Sequence, residues 1–173
     1  LDEGAADKIL KSVTDGTSDI GLIGMLRQID GLAFAPYKRE RICLLMSESH
    51  PLAEHESLYF KEASSHPFIG MAETNLMSNI MNLAELRARV FVTRSIKVSS
   101  LEIAAQMACK SEFGICLTLE SVASRHARAN NGKLVHLSDA WASIEMTTCT
   151  REVATRSPAT TYFISELKQR FKN

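Results

Sequence analysis

Apolar positions recur along the chain at two spacings, one helical and one typical of buried strands. In residues 5–15 the helical spacing is carried by Ile9, Leu10 and Val13, and Gly16 is typical of a helix end. Elsewhere apolar side chains follow one another without a break, as in strands that are covered on both faces of a sheet. The pattern therefore predicts both helices and buried strands.

Two apolar runs in the first third of the chain predict strands. Residues 19–23 form the first run, and Gly21 within it marks a place where another group must pass close to the backbone. Residues 41–46 form the second run and are almost continuously apolar. Between the two runs, residues 24–38 are mixed in character and rich in turn formers, so no strand is predicted there.

Further segments complete an alternation of strands and helices. Strands are predicted over residues 67–70, 91–98, 113–117, 133–137 and 144–150. Helices are predicted over residues 76–88, from 99 onward, over 120–125 and from 157 to about 171. Ser99 with Glu102 forms a capping-box pattern, and Ser157 before Pro158 predicts a capped helix start. In the last helix the expected packing residues are Tyr162, Phe163, Ile164 and Leu167. The alternation predicts an α/β fold with largely parallel sheets.

Composition narrows the class of protein. The chain has 173 residues, of which 45% are hydrophobic, and this suits one compact unit or two small lobes. No apolar run approaches the roughly 18 residues of a membrane span, so no membrane partner is expected. Lys and Arg together number 20, as do Asp and Glu, so the formal net charge is zero. Because modules that bind nucleic acids usually carry a basic excess, we expect any contact with DNA to come from outside this chain.

The cysteines suggest a reducing compartment. None of Cys43, Cys109, Cys116 and Cys149 forms a CxxC motif, and no His/Cys cluster has zinc spacing. We expect them to be small buried hydrophobes in a cytoplasmic protein, with a redox pair of Cys109 and Cys116 as the alternative. No metal and no cofactor are expected.

Several short phrases resemble, in order along nearly the whole chain, the effector-binding domain of LysR-type transcriptional regulators. The phrases are Gly16 with Asp19-Ile20-Gly21, residues 39–46 closing with His50-Pro51-Leu52-Ala53, Pro67-Phe68-Ile69, Val98-Ser99-Ser100 through Gly114-Ile115, and Ser157-Pro158-Ala159. The resemblance implies two Rossmann-like lobes, similar to type 2 periplasmic binding proteins, joined by two crossover strands. Lobe I would comprise residues 1–40 and 141–173, and lobe II residues 41–140. In that family a winged helix-turn-helix, then a strand and helix of lobe I, would precede the position of Leu1.

In doubly wound sheets, ligands bind at the carboxyl ends of strands, where helix N-termini offer free N–H groups to an anion. Together with the resemblance, this rule predicts an effector site between the lobes. The candidate residues are Ala5, Ile23, Gly24, Thr74, Asn75, Leu76, Val98, Ser99, Ser100 and Thr118. Simpler interpretations stand beside this one: helix capping for Asn75 and Ser99, a loop glycine at Gly24, and strand propensity for Thr118. Methionines 71, 77, 81 and 107 are expected to be core residues rather than a binding surface.

The resemblance implies a ligand-sensing regulatory domain that forms dimers, and tetramers in the full-length regulator. DNA would be bound only through the winged helix-turn-helix. The effector could be an anion or a neutral molecule. The alternative is a type 2 periplasmic solute-binding protein, which shares the lobed fold. No Gly-rich phosphate loop, GxSxG elbow or HExxH motif occurs, so we expect no enzymatic activity.

Overall fold

The computed structural model describes residues 5–24, 29–71, 75–110, 114–152 and 156–171. The helices are α1 (Ala6–Thr14), α2 (Phe60–Ala63), α3 (Leu76–Ala88), α4 (Leu101–Lys110), α5 (Glu120–Asn130) and α6 (Pro158–Arg170). The strands are β1 (Gly21–Gly24), β2 (Leu32–Ser47), β3 (Ser57–Leu58), β4 (Phe68–Met71), β5 (Arg94–Val98), β6 (Cys116–Leu119), β7 (Gly132–Leu137) and β8 (Ser143–Arg151). Within these ranges no helix has the length and apolar character that crossing a membrane requires.

The chain divides into two compact units. Unit 1 comprises Leu1–Arg39 and Ile144–Asn173, and unit 2 comprises Glu40–Ser143. Strand β2 contributes its first half to unit 1 and its second half to unit 2. The sequence pattern missed that first half, because residues 32–39 are half-exposed and contain Pro36, which is depleted in strands.

Unit 1 is built around β8, with β1 and β2 as its neighbours. Strand β1 runs antiparallel to β8, and α1 packs on this pair through Leu10 and Val13. Gly21 lies opposite Cys149, and a Cβ atom at Gly21 would lie 2.6 Å from the Sγ of Cys149 and from the Cγ2 of Ile9. This close packing confirms the prediction that another group passes close to the backbone at Gly21.

The ends of two helices in unit 1 follow their local sequence signals. Gly16, which follows α1, has a φ of +77°, a value that favours glycine. At α6, the Ser157 hydroxyl accepts a hydrogen bond from the Thr160 N–H at 3.1 Å, and Pro158 is the first helical residue. The packing prediction for α6 was partly wrong, because Tyr162 and Phe163 are 67% and 45% exposed. Only one turn of this helix, at Thr160 and Ile164, is buried.

The strands of unit 2 belong to two sheets and pair in both directions, which corrects the expectation of largely parallel pairing. Strand β2 runs antiparallel to both β6 and β7, whereas β3 is parallel to β7 and β4 is parallel to β5. Phe68 of β4 forms a parallel bridge with Ile115, just before β6. The α/β class is confirmed. The predicted direction of pairing was wrong for β2, because the α5 connection keeps β7 parallel to β6 and both strands run antiparallel to β2 between them. Burial patterns alone do not encode this direction.

Two helices of unit 2 differ from the prediction. Helix α5 continues to Asn130 rather than stopping at Arg125, and Asn131 closes it in the left-handed conformation. The Ser100 carbonyl accepts the first bond of α4, from the Ala104 N–H at 3.0 Å, so Ser100 rather than Ser99 holds the cap position. The strand predicted over 113–117 is β6, and Phe113 lies outside the described residues.

All four cysteines are buried free thiols, as expected. Cys43, Cys109 and Cys116 share the core cluster of unit 2, and Cys149 belongs to the core of unit 1. Burial raises the pKa of all four thiols, that of Cys116 to about 12. Because the thiolate is the reactive form, these positions have the character of core residues.

His50 gives the protein a pH-dependent stability. Its Nδ1 accepts a hydrogen bond from the Leu52 N–H at 3.2 Å, at the start of a short 3-10 turn over Pro51–Glu54. Burial and the neighbouring His66 ring lower the pKa of His50 from its ordinary value of 6.5. The stabilisation that this hydrogen bond contributes is complete above the pKa that His50 has in the unfolded chain. It is lost as the pH falls from that value through the lower pKa of the folded protein, because protonation of Nδ1 removes the hydrogen-bond acceptor.

We therefore expect the free energy of unfolding to decrease between pH 7.5 and pH 5.5. The variant His50→Asn keeps a cap acceptor without a titrating ring, so it should lose less stability over that interval. Urea unfolding at the two pH values measures the difference. An equal loss in the two proteins would contradict a role for His50.

Candidate functional site

Two helices of unit 2 follow the adjacent strands of the two-stranded sheet β4–β5. Because β4 and β5 are parallel neighbours, Met71 at the end of β4 lies beside Val98 at the end of β5. Helix α3 follows β4 and begins at Leu76, and α4 follows β5 and begins at Leu101. The predicted groups Asn75-Leu76 and Val98-Ser99-Ser100 thus follow neighbouring strand ends, whereas Thr74 lies outside the described residues.

The N-terminus of α3 is capped by its own side chains. The Asn75 Oδ1 accepts from the Ser78 N–H at 3.0 Å, and the Ser78 hydroxyl accepts from the Asn75 N–H at 2.8 Å. The Asn75 side chain is therefore engaged as the helix cap. The N–H groups of Leu76 and Met77 have no acceptor within the helix itself. No acidic residue stands in the first turn of α3 itself, at the positive end of the helix dipole.

The N-terminus of α4 carries one acidic residue, Glu102, but its charge is paired elsewhere. The Glu102 carboxylate contacts the Arg125 guanidinium and the buried His126 ring, both on α5. The hydrogen bond with His126, aided by the charge of Arg125, lowers the pKa of Glu102. Ser99 is exposed at this helix start, and Ser100 is half-buried.

Thr118 is fully buried, rather than exposed at the surface of the candidate site. Thr118 lies in β6, where it pairs with Cys43 of β2. Its side chain is 0% exposed. Its hydroxyl has no hydrogen-bond partner among the described residues. Because buried hydroxyls usually find partners, this position is unusual for a strand threonine.

The three candidate residues of unit 1 lie at α1 and β1. Ala5 is the N-cap of α1, and its carbonyl accepts hydrogen bonds from the N–H groups of Lys8 and Ile9. The Ile23 side chain belongs to the core of unit 1. Gly24 is the last residue of β1, opposite Met146, rather than part of a turn. Pairing with β8 explains why the strand extends one residue further than predicted.

A small recess in unit 2 was not predicted from the sequence. Its volume is about 20 Å³, and its lining comprises Ile69, Gly70, Met71, Met77, Ser78, Met81, Arg94, Cys116 and Leu117. Met77 and Met81 are buried, as expected of core residues. Because Met77 and Met81 are four residues apart on α3, the sequence alone indicated that their side chains lie on the same face of the helix. Among the described residues, no group of three or more His, Cys, Asp or Glu side chains is arranged to hold a metal ion.

Comparison with known proteins matches this chain to one family. A family model described as the LysR substrate binding domain matches residues 1–172. No curated protein matches the chain.

Solved structures share the fold at low sequence identity. The effector binding domain of QuiR in complex with shikimate is 15% identical, with a TM-score of 0.81, over 97% of this chain and 78% of that one. The BenM effector binding domain with its effector benzoate is 17% identical, with a TM-score of 0.79, over 98% and 76%. A putative LysR family regulator from Pseudomonas aeruginosa is 14% identical, with a TM-score of 0.80, and this chain covers 59% of its length.

Proposed function

This chain belongs to the LysR substrate-binding domain family, and from that premise we propose that it binds a small carboxylate effector where α3 and α4 begin. The observation that carries the proposal is the parallel pairing of Met71 with Val98, which sets the ends of the two strands that lead to α3 and α4 beside one another. Helix N-termini favour anions because unpaired N–H groups and the helix dipole act together. Shikimate and benzoate, which two similar domains bind, are both carboxylates.

Backbone N–H groups are the proposed ligands of the carboxylate, because the Asn75 side chain is already engaged as a cap. At the α4 end, Ser99 and Ser100 are the proposed hydroxyl donors, with Val98 beside them. Thr118, whose buried hydroxyl has no partner among the described residues, is proposed as a further donor. Ala5, Ile23, Gly24 and Thr74 remain predictions from the sequence.

The chain is further proposed to act within a longer regulator, since it spans 59% of the Pseudomonas aeruginosa relative. In that setting the domain would sense the effector without transforming it. A winged helix-turn-helix elsewhere in the regulator would contact DNA, and the assembly would be a cytoplasmic homodimer or tetramer. A ligand can shift such an assembly only by its differential affinity for two states. The family match favours this function over a periplasmic solute-binding protein, which shares the fold.

The variant Leu76→Pro tests the proposed anion contact at α3. Proline suits the first helical position and removes one N–H, and Asn75 before it already has the extended backbone that a residue before proline prefers (φ −138°, ψ −176°). Leu76→Ala is the matched control, because it removes the side chain and keeps the N–H. We expect Leu76→Pro to bind benzoate about tenfold more weakly than Leu76→Ala, a loss of about 1.4 kcal/mol, typical of a charge-assisted hydrogen bond.

Thermal-shift titration measures this difference, because a ligand that binds only the folded state raises the melting temperature. A wider panel of small organic acids and amino acids extends the search for the effector. Equal binding by Leu76→Pro and Leu76→Ala would argue against an anion at this helix. Failure of every carboxylate to stabilise the parent protein would refute the proposed ligand class.

A further inference from the structure

The recess beneath α3 is lined in part by residues next to the proposed carboxylate site. We propose that it receives a compact apolar group of the effector and so sets the specificity of the site. This inference rests on the proposed function. Met71 ends β4, and Met77 and Ser78 are the second and third residues of α3, so part of the lining of the recess adjoins the α3 N-terminus.

The walls of the recess are apolar. Ile69, Met77, Met81, Cys116 and Leu117 line it and are all buried. Met71, Ser78 and Arg94 are the half-buried lining residues, and they mark where the recess meets the surface. A group that enters there loses contact with water and gains contact with methionine thioethers and aliphatic side chains, which favours an apolar occupant.

Each polar side chain of the lining already forms a hydrogen bond or an ion pair within the protein. The Ser78 hydroxyl bonds to the N–H and the carbonyl of Asn75, at 2.8 and 3.0 Å. The Arg94 guanidinium forms an ion pair with Glu85 at 2.6 Å. The Cys116 thiol donates to the Leu117 carbonyl at 3.6 Å. A hydroxyl or charged group placed in the recess would have to compete with these bonds while losing its contact with water, and burying it would be unfavourable.

The size of the recess limits the occupant further. A volume of about 20 Å³ holds one group about as large as a water molecule or a methyl group. Methionine side chains are flexible, so the walls can adapt to one or two additional carbons. The recess thus fits the methyl or ethyl end of a carboxylate, and it discriminates against a polyhydroxylated one.

A series of probes tests this specificity. The probes are butyrate, valerate, hexanoate and octanoate, with 4-hydroxybutyrate as the polar counterpart of valerate. Titration calorimetry of the parent protein should show affinity rising roughly fourfold for each methylene up to a maximum, and falling beyond it. 4-Hydroxybutyrate should bind at least tenfold more weakly than valerate.

Two variants alter the recess, and a third serves as a control. Met81→Ala enlarges it and should move the affinity maximum to a carboxylate one or two carbons longer. Met71→Ala alters the half-buried mouth at a smaller cost to folding, and it should move the maximum in the same direction. Leu83→Ala removes a half-buried side chain of α3 that does not line the recess, so the maximum should stay in place.

The outcomes separate this inference from the proposed function. If carboxylates bind with no dependence on chain length, or if neither methionine variant moves the affinity maximum, the recess does not hold part of the effector. The inference then fails, while the proposed carboxylate site is still supported. If no carboxylate binds to the parent protein, the proposed ligand class fails together with the inference.

Discussion

Phe60→Ala is expected to lower the free energy of unfolding by about 3–5 kcal/mol, the range for removing a buried phenylalanine. Phe60 begins α2 and is 0% exposed. Its ring lies 5.7 Å from that of Phe68 and 5.7 Å from that of Trp141, measured between centroids. The substitution therefore removes both aromatic contacts and leaves a cavity where the buried ring was.

Urea unfolding followed by tryptophan fluorescence measures this loss. Trp141 is the only tryptophan of the chain and packs edge-on against Phe60, so its emission reports on the affected core. Phe91→Ala is the matched control, because Phe91 is 95% exposed and its removal should change stability by less than about 0.5 kcal/mol. Similar losses from the two substitutions would disprove the central role of Phe60.

Gly132→Ala is expected to cost about 2–3 kcal/mol, because it overpacks the same unit. Gly132 begins β7, and a Cβ atom there would lie 2.3 Å from the Cys109 Sγ and 3.2 Å from the Met46 carbonyl oxygen. Cys109 is itself buried in α4, so its thiol has little room to move away. The strain should therefore fall on the contact between α4 and β7.

A second substitution isolates the cause of that loss. Cys109→Ala removes the Sγ atom with which the new methyl group would collide, while the Cys109 Cβ at 3.1 Å remains. We expect Gly132→Ala to cost at least 1 kcal/mol less in the Cys109→Ala protein than in the parent, measured as a double-mutant cycle. Additive losses would mean that the clash with Cys109 is not what destabilises Gly132→Ala.

Local signals explain which helices were predicted well. Helix α3 has the predicted limits, Leu76–Ala88, because a capping residue and a helical apolar stripe both lie within its own sequence. The start of α6 follows from Ser157 and Pro158 for the same reason. Helix α5 was predicted too short because its exposed residues carry little apolar periodicity, and packing against β7 and α4 extends it.

Part of the candidate site was also accessible from sequence. The strand-then-cap pattern placed Asn75, Leu76, Ser99 and Ser100 at helix starts, and the structure places them there. Burial of Thr118 and of Ile23 was not apparent, because a strand residue's environment depends on what covers its sheet. The recess was missed because Met71, Met77 and Leu117 come from three separate elements.

By itself, the sequence determined the starts of α3, α5 and α6, the apolar runs of the core and the family, because caps, periodicity and short ordered motifs act over a few neighbouring residues. Only the tertiary structure decided the strand directions, the full length of β2 and the meeting of Met71 with Val98. These features depend on backbone hydrogen bonds between distant segments, and any apolar strand can form such bonds with several partners. The recess is likewise a product of packing, since its volume is what remains between α3 and the sheet when their side chains meet.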